Sequence, residues 1–390
     1  MNGIKVGIIG IGNMGSAHFS FISGGAIEGM TVKAVCDIDR EKLKRVKEIC
    51  PNISAFESYN DLLKESEIDA VIIAVPHPLH AEIAVCALVS GKHVLVEKPV
   101  DITVSAAERL NKAAKQSGKI FGIMFNQRTN GLFKEARRIV KSGEIGELKR
   151  SVWIITNWYR TQSYYNSGSW RATWKGEGGG VLLNQAPHNL DLWQWICGMP
   201  SSVTAFCNVA KYHDIEVEDE ATIYAEYENG ATGVFITSTG DCPGTNRFEI
   251  TGTRGKLVLE NGLLKLWKLK EDERVICKES REGFVNPETV YTEFTSEKET
   301  AHAGILQNFA NAVIYGEELL APGYDGINEL TVSNAAYLSE WKGNKKISLP
   351  FDTAEYDRLL AEKRSNSCAV NKSVKINSDK SCGERWQVKW

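Results

Sequence analysis

The chain has 390 residues, 43% of them hydrophobic and 24% charged, which is the mix of a soluble globular protein and excludes a disordered chain or a membrane bundle. That length exceeds one ordinary hydrophobic core and points to two domains. Its 46 basic and 49 acidic residues leave a net charge of −3, so no global field attracts nucleic acid or anionic lipid, and any partner is recognised locally.

Residues 4–9 (IKVGII) read as a buried strand, followed by a glycine loop and helix-like text. Val6–Ile27 carries no charge, yet its six glycines, one Asn, one His and three serines interrupt any apolar block. It is therefore neither a signal peptide nor a spanning segment. VKAVC at 32–36 is a second apolar run, with a charged helix from Arg40 to Ile49 behind it. AVIIAV at 70–75, HVLV at 93–96 and KIFGIMF at 119–125 follow, separated by helical text over Ala81–Val89 and Val104–Gln116. Short apolar runs that do not alternate, with helices between them, signal a parallel sheet covered on both faces. Residues 1–128 are expected to form a doubly wound α/β domain.

After residue 145 the pattern changes. ATIYAEYENGATGVFITST alternates, and Asn229-Gly230 and Asn261-Gly262 are tight-hairpin signals, so an antiparallel sheet with one covered face is expected. Helices return at about 300–316 and 326–342, which makes 129–350 one α+β domain. Residues 351–390 are a polar, mildly basic extension ending in alternating Trp386, Val388 and Trp390. It reads either as a frayed tail or as an extended arm docked on the protein or on a neighbouring subunit. The nine cysteines are scattered with no Cys-x-x-Cys, which suits buried free thiols in a reducing cytoplasm. The seven histidines lack ligand spacing, so no metal site is expected. No basic stripe suggests nucleic acid.

Gly10, Gly12 and Gly15 form G-x-G-x-x-G after a strand and before a helix. Glycine lets the backbone approach a pyrophosphate, and the helix N-terminus favours its charge. Asn13 and Met14 lie within this loop. Asp37 closes the next apolar run, at the spacing of an acid that accepts from the adenosine ribose hydroxyls. A carboxylate there repels a 2′-phosphate, so NAD is preferred over NADP, although Arg40 three residues on could relax the preference. The alternative is that the glycines are simple turns and Asp37 a helix cap.

Further candidates fall at the carboxyl ends of the expected strands, where an open parallel sheet binds ligands. They are Pro76, His77 and His80 after one run, Glu97 and Lys98 after another, and Asn126, Gln127 and Arg128 after a third. A solvated lysine is the competing reading for Lys98, and a structural role for His80. In GEGGGVLLNQAPHNLDLWQW, Asn184, His188 and Asp191 share one face if the segment is helical, with Pro187 marking a nearby helix start.

GIIGIGNMGSAH at 7–18, VEKP at 96–99 and GGGVLLNQAPHNLD at 178–191 resemble the glucose–fructose oxidoreductase/inositol dehydrogenase (Gfo/Idh/MocA) family over roughly residues 3–350. The resemblance implies a Rossmann domain plus a C-terminal α+β domain with a large, mostly antiparallel sheet. It implies a homodimer or homotetramer, often built on that sheet. It also implies sugar, cyclitol or related polyol substrates. The family lysine falls on Lys98 and the helix histidine on His188. The aspartate that often precedes this histidine by four residues is Asn184 here, which carries no charge to support an imidazolium.

On that footing a secondary alcohol would lose hydride to the nicotinamide. His188 would take the hydroxyl proton, Lys98 would stabilise the oxygen, and Asn184 would position the substrate. Aromatics ahead of the glycines (Trp153, Trp158, Tyr159, Tyr164, Tyr165, Trp170, Trp174) suit sugar faces. Tyr164, Trp170 and Arg171 in loop-like text lean to substrate, with Asn126, Arg128 and Asp191. Trp153 in strand-like text leans to the core, and Arg160 is a further candidate for a hydroxyl or an acid. Two other readings stay open. One is glycoside cleavage by transient oxidation, and the other is an NAD-binding sensor without catalysis.

Overall fold

The computed structural model describes residues 3–296 and 299–367. Strands β1 (Ile4–Ile9), β2 (Met30–Cys36), β3 (Ser54–Phe56), β4 (Ala70–Ile73), β5 (His93–Val96) and β6 (Phe121–Ile123) form one parallel sheet in the order β3-β2-β1-β4-β5-β6. Every residue of β4 is buried, as expected of a strand with helices on both faces. The order reverses between β1 and β4, so a crevice opens beyond their carboxyl ends. The helix Arg40–Ile49 has the expected bounds, and its N-cap Asp39 accepts from the Glu41 N–H. β3 carries no sequence signal, because its three residues, SAF, make no apolar run.

The second sheet has nine strands: β7 (Leu148–Ile155), β8 (Ser202–Val209), β9 (Glu218–Glu226), β10 (Thr232–Ser238), β11 (Asn246–Gly252), β12 (Gly255–Glu260), β13 (Leu263–Leu269), β14 (Thr289–Phe294) and β15 (Ile347–Ser348). Their order is β14-β13-β12-β11-β7-β10-β9-β8-β15. All pairings are antiparallel except β7 with β10. Both predicted hairpins form, and Gly230 and Gly262 take the positive φ that these turns need. Trp153 lies wholly in the core, stacked on Phe248 at 4.3 Å between centroids.

The late helices tie the two sheets together. Asn334, in the helix Gly326–Trp341, accepts from the Val104 N–H and donates to the Ile102 carbonyl. The Ile123 N–H donates to the Ala321 carbonyl at 3.1 Å. The C-terminal extension begins as a helix, Thr353–Ser365, rather than an extended arm. Its Tyr356 is fully buried against Trp341, and Asp357 accepts from Ser105 at 2.6 Å. Trp386, Val388 and Trp390 lie outside the described residues. The seven described cysteines are free. No helix among the described residues is long and apolar enough to cross a membrane.

Candidate active site

The glycine turn is closed by sterics at two of its three glycines. Gly10 has φ +93°, and a Cβ there would lie 2.4 Å from the Ala74 carbonyl oxygen. A Cβ on Gly15 would lie 1.8 Å from the Gly10 carbonyl oxygen. Gly12, which N-caps the helix Asn13–Ser23, faces open space. A cradle with backbone packed behind it and room in front suits a bound pyrophosphate. Asp37 stands beside it, accepting from the Ile11 N–H at 2.7 Å and from Lys42 Nζ at 3.2 Å. Arg40 is not part of this group. Its exposed guanidinium pairs with Glu57 at 2.8 Å, and Lys42 is the cation at Asp37.

The centre lies past the ends of β4 and β5. Lys98 donates from Nζ to the Asn184 carbonyl at 2.7 Å. Burial depresses its ammonium pKa, while Glu97, Glu329 and Glu177 oppose that shift. Burial, with the Lys98 charge next, holds His188 well below the ordinary imidazole range. The ring is therefore neutral at neutral pH, with a lone pair free on one nitrogen. Its Nδ1 is buried without a partner, and Phe125 meets the ring edge-on. Asn184 and His188 do not share one continuous helix. Asn184 ends the helix Val181–Asn184, and His188 lies in a second helix, Pro187–Cys197. Pro187 sits in the first turn of that second helix, where its missing N–H costs no hydrogen bond.

Several expected site residues serve the scaffold instead. Asp191 and Arg128 form a buried double hydrogen bond at 2.6 and 2.8 Å, and Arg128 also reaches Asp325 at 2.6 Å. Both side chains are 1% exposed, so neither has a face left for substrate. Glu97 bonds the buried His18 at 2.7 Å and the Lys98 N–H at 3.2 Å. Burial alone would raise its pKa, but the His18 bond and surrounding charge hold it at about 2. Glu97 thus anchors the first helix to the end of β5. His80 places its two ring nitrogens on the Pro99 and Val75 carbonyls, at 2.7 and 2.8 Å, which fixes the turn after β4. His77, one residue beyond Pro76, reaches the Glu177 carbonyl at 3.3 Å and packs edge-on against Trp170.

The aromatic loop forms a cluster. Arg171 lies between the rings of Tyr164 and Trp170, 4.6 and 4.5 Å from their centroids. Tyr164 Oη accepts from Arg171 at 2.9 Å and from Gln185 at 3.2 Å. Asn126 approaches His302 at 3.3 Å and keeps a buried Oδ1 without a partner. Sequence reasoning missed three groups. Burial brings the His302 pKa down to about 4. Both Glu329 oxygens are buried without partners, and burial lifts that carboxyl well above its usual range. Glu177 is 2% exposed and accepts from Asn184 Nδ2 and the Ala172 N–H. Only Glu177 had a signal available, its place directly before the glycine run. No group of three or more potential metal ligands occurs among the described residues.

Residues 4–125 match the model of an oxidoreductase family with an NAD-binding Rossmann fold, and 133–258 match the GFO/IDH/MocA C-terminal domain. The chain belongs to the Gfo/Idh/MocA family. It is an NAD-dependent oxidoreductase of that family. It is 28% identical over 346 residues to the uncharacterized oxidoreductase YrbE of Bacillus subtilis, covering 86% of this chain and 94% of that one. It is 25% identical over 341 residues to myo-inositol 2-dehydrogenase of Thermotoga maritima, covering 85% and 95%. Its fold matches the WlbA dehydrogenase of Chromobacterium violaceum, solved with NADH and UDP-GlcNAcA. The TM-score is 0.77 at 26% identity, over 90% of this chain and 97% of that one.

Proposed function

We propose that this family member oxidises, or in reverse forms, a secondary alcohol on a sugar, cyclitol or related polyol. The observation that carries the proposal is the meeting of the Lys98 ammonium, Asn184 and a neutral His188 beyond the rim of the parallel sheet. The relatives named for myo-inositol and for a complex with a nucleotide sugar support the substrate class.

Gly10, Gly12, Asn13, Met14 and Gly15 would hold the cofactor pyrophosphate, and Asp37 the adenosine ribose. Bound NAD supplies the hydride acceptor, and the protein supplies aim and proton handling. Neutral His188 accepts the hydroxyl proton, because its ring is uncharged and its buried Nδ1 has no partner among the described residues. Lys98 donates a hydrogen bond to the same oxygen and stabilises the charge that builds on it. Tyr164, Trp170 and Arg171 line the approach. The open face of the second sheet, with Phe206 and Tyr224 52% and 41% exposed, would pair with a second copy to make a dimer or tetramer. The free described thiols fit a reducing, cytoplasmic setting.

A panel of free sugars, cyclitols and glycosides with NAD and NADP tests this, reading cofactor absorbance and released sugar together. NADH should form with at least one free polyol, and Lys98→Met should abolish turnover while NADH still binds. Full activity in Lys98→Met would remove the lysine from the chemistry. Sugar release without net NADH would turn the assignment to glycoside cleavage.

A further inference from the structure

Glu177 is a buried carboxylate with no part in the chemistry above, and its surroundings define one. One carboxyl oxygen accepts from the Ala172 N–H at 2.5 Å, and the other accepts from Asn184 Nδ2 in a very short contact. Its own carbonyl meets His77, so the residue is held from three sides. Facing it are Arg171 from the same loop, Lys98 from the end of β5, Tyr165 from the aromatic loop, and His77 after β4.

An ionised carboxylate only accepts hydrogen bonds. It can therefore bind only the NH₂ half of the Asn184 amide. An amide by itself chooses neither orientation, since its two halves are nearly the same in shape. Asn184 Oδ1 takes no hydrogen bond from the described residues, so the pairing leaves it as a fixed acceptor.

We infer that Glu177 is a positioning residue that locks the Asn184 amide so that Oδ1 accepts a hydroxyl of the substrate. The inference rests on the polyol reading above. It makes that reading narrower, because the substrate must offer a hydroxyl donor to Asn184 besides the alcohol that reacts. Burial raises the Glu177 carboxyl above its usual range, against Arg171, the Ala172 N–H, the Asn184 amide and Lys98. When protonated, Glu177 becomes a donor and the amide loses its imposed direction, so the lock releases on the acid side.

Two measurements on the full chain test this. In protein labelled with ¹⁵N-asparagine, the Asn184 side-chain signal should titrate above the ordinary carboxylate range. That step should vanish in Glu177→Gln. On the best substrate from the panel, Glu177→Gln should lose roughly tenfold in kcat/KM, the size of one hydrogen bond, together with the acid limb of the pH profile. Glu177→Gln combined with Asn184→Asp moves the carboxylate to position 184 and should recover activity relative to either single variant. A residue that merely supports the loop would show no such recovery. An Asn184 signal indifferent to pH and to Glu177→Gln overturns the inference, as does a double variant no better than the worse single. If no polyol is turned over, the dehydrogenase reading fails, while the ¹⁵N titration still decides the pairing.

Discussion

At the scale of single residues, charge is placed by burial as much as by residue type. Glu97 and Glu177 are both buried glutamates near Lys98, yet their pKa values move in opposite directions. Glu97 has His18 directly on one oxygen, whereas Glu177 has a neutral amide and one backbone N–H. The Glu97 shift is a statement about stability. Its folded pKa of about 2 lies below the ordinary 4.5. Its contribution is therefore present above pH 4.5 and is lost as pH falls towards 2. A difference of that size corresponds to about 3 kcal/mol. Urea unfolding should find Glu97→Gln less stable than the parent at pH 7 by a margin of that order. The margin should close between about pH 4.5 and 2, and a gap constant over that window would contradict the assignment.

At the scale of elements, the strand–loop–helix that opens the chain separates two uses of glycine. Gly15 has no space for a Cβ because the Gly10 carbonyl fills it, while Gly12 faces emptiness. The first requirement comes from the fold and the second from what would lie against the loop. Gly15→Ala should lower the melting temperature and weaken NADH binding together. Gly12→Ala should leave melting nearly unchanged and weaken NADH binding by at least roughly tenfold, the scale of an unmade hydrogen bond or a small steric shift. Calorimetry beside fluorescence titration separates the two. Equal behaviour of the two variants would show that Gly12 does not mark the cofactor side. The motif was legible because it is local: three glycines and Asp37 follow the strand–loop–helix–strand path in order. The Asn184–His188 pair is legible in part, since Pro187 announces a helix start but no residue marks the break between Asn184 and Pro187.

At the scale of the whole molecule, the nine-stranded sheet has one face covered by helices and one left open. Phe206 on β8 pairs in register with Thr222, and Tyr224 on β9 with Thr204 and Val234, so an apolar patch runs across three strands. This is the face on which the proposed pairing with a second copy would rest. Replacing Phe206 and Tyr224 by aspartate should shift the mass seen by sedimentation from an oligomer towards a single chain while the far-ultraviolet circular dichroism persists. An unchanged mass would place the contact elsewhere.

Sequence alone determined the doubly wound parallel half, the hairpins at Asn229-Gly230 and Asn261-Gly262, the glycine loop with Asp37, and the candidacy of Lys98 and His188. Each of these rests on the period of apolar residues or on short spacings that the chain carries within itself. Tertiary structure decided which polar groups have partners. Arg128 finds Asp191 63 positions away, His18 finds Glu97 79 away, and Glu177 turns onto Asn184 across the glycine run. A buried ion pair and a substrate contact use the same residue types, and only packing in three dimensions shows whether a donor is spent inside the core or still faces the crevice.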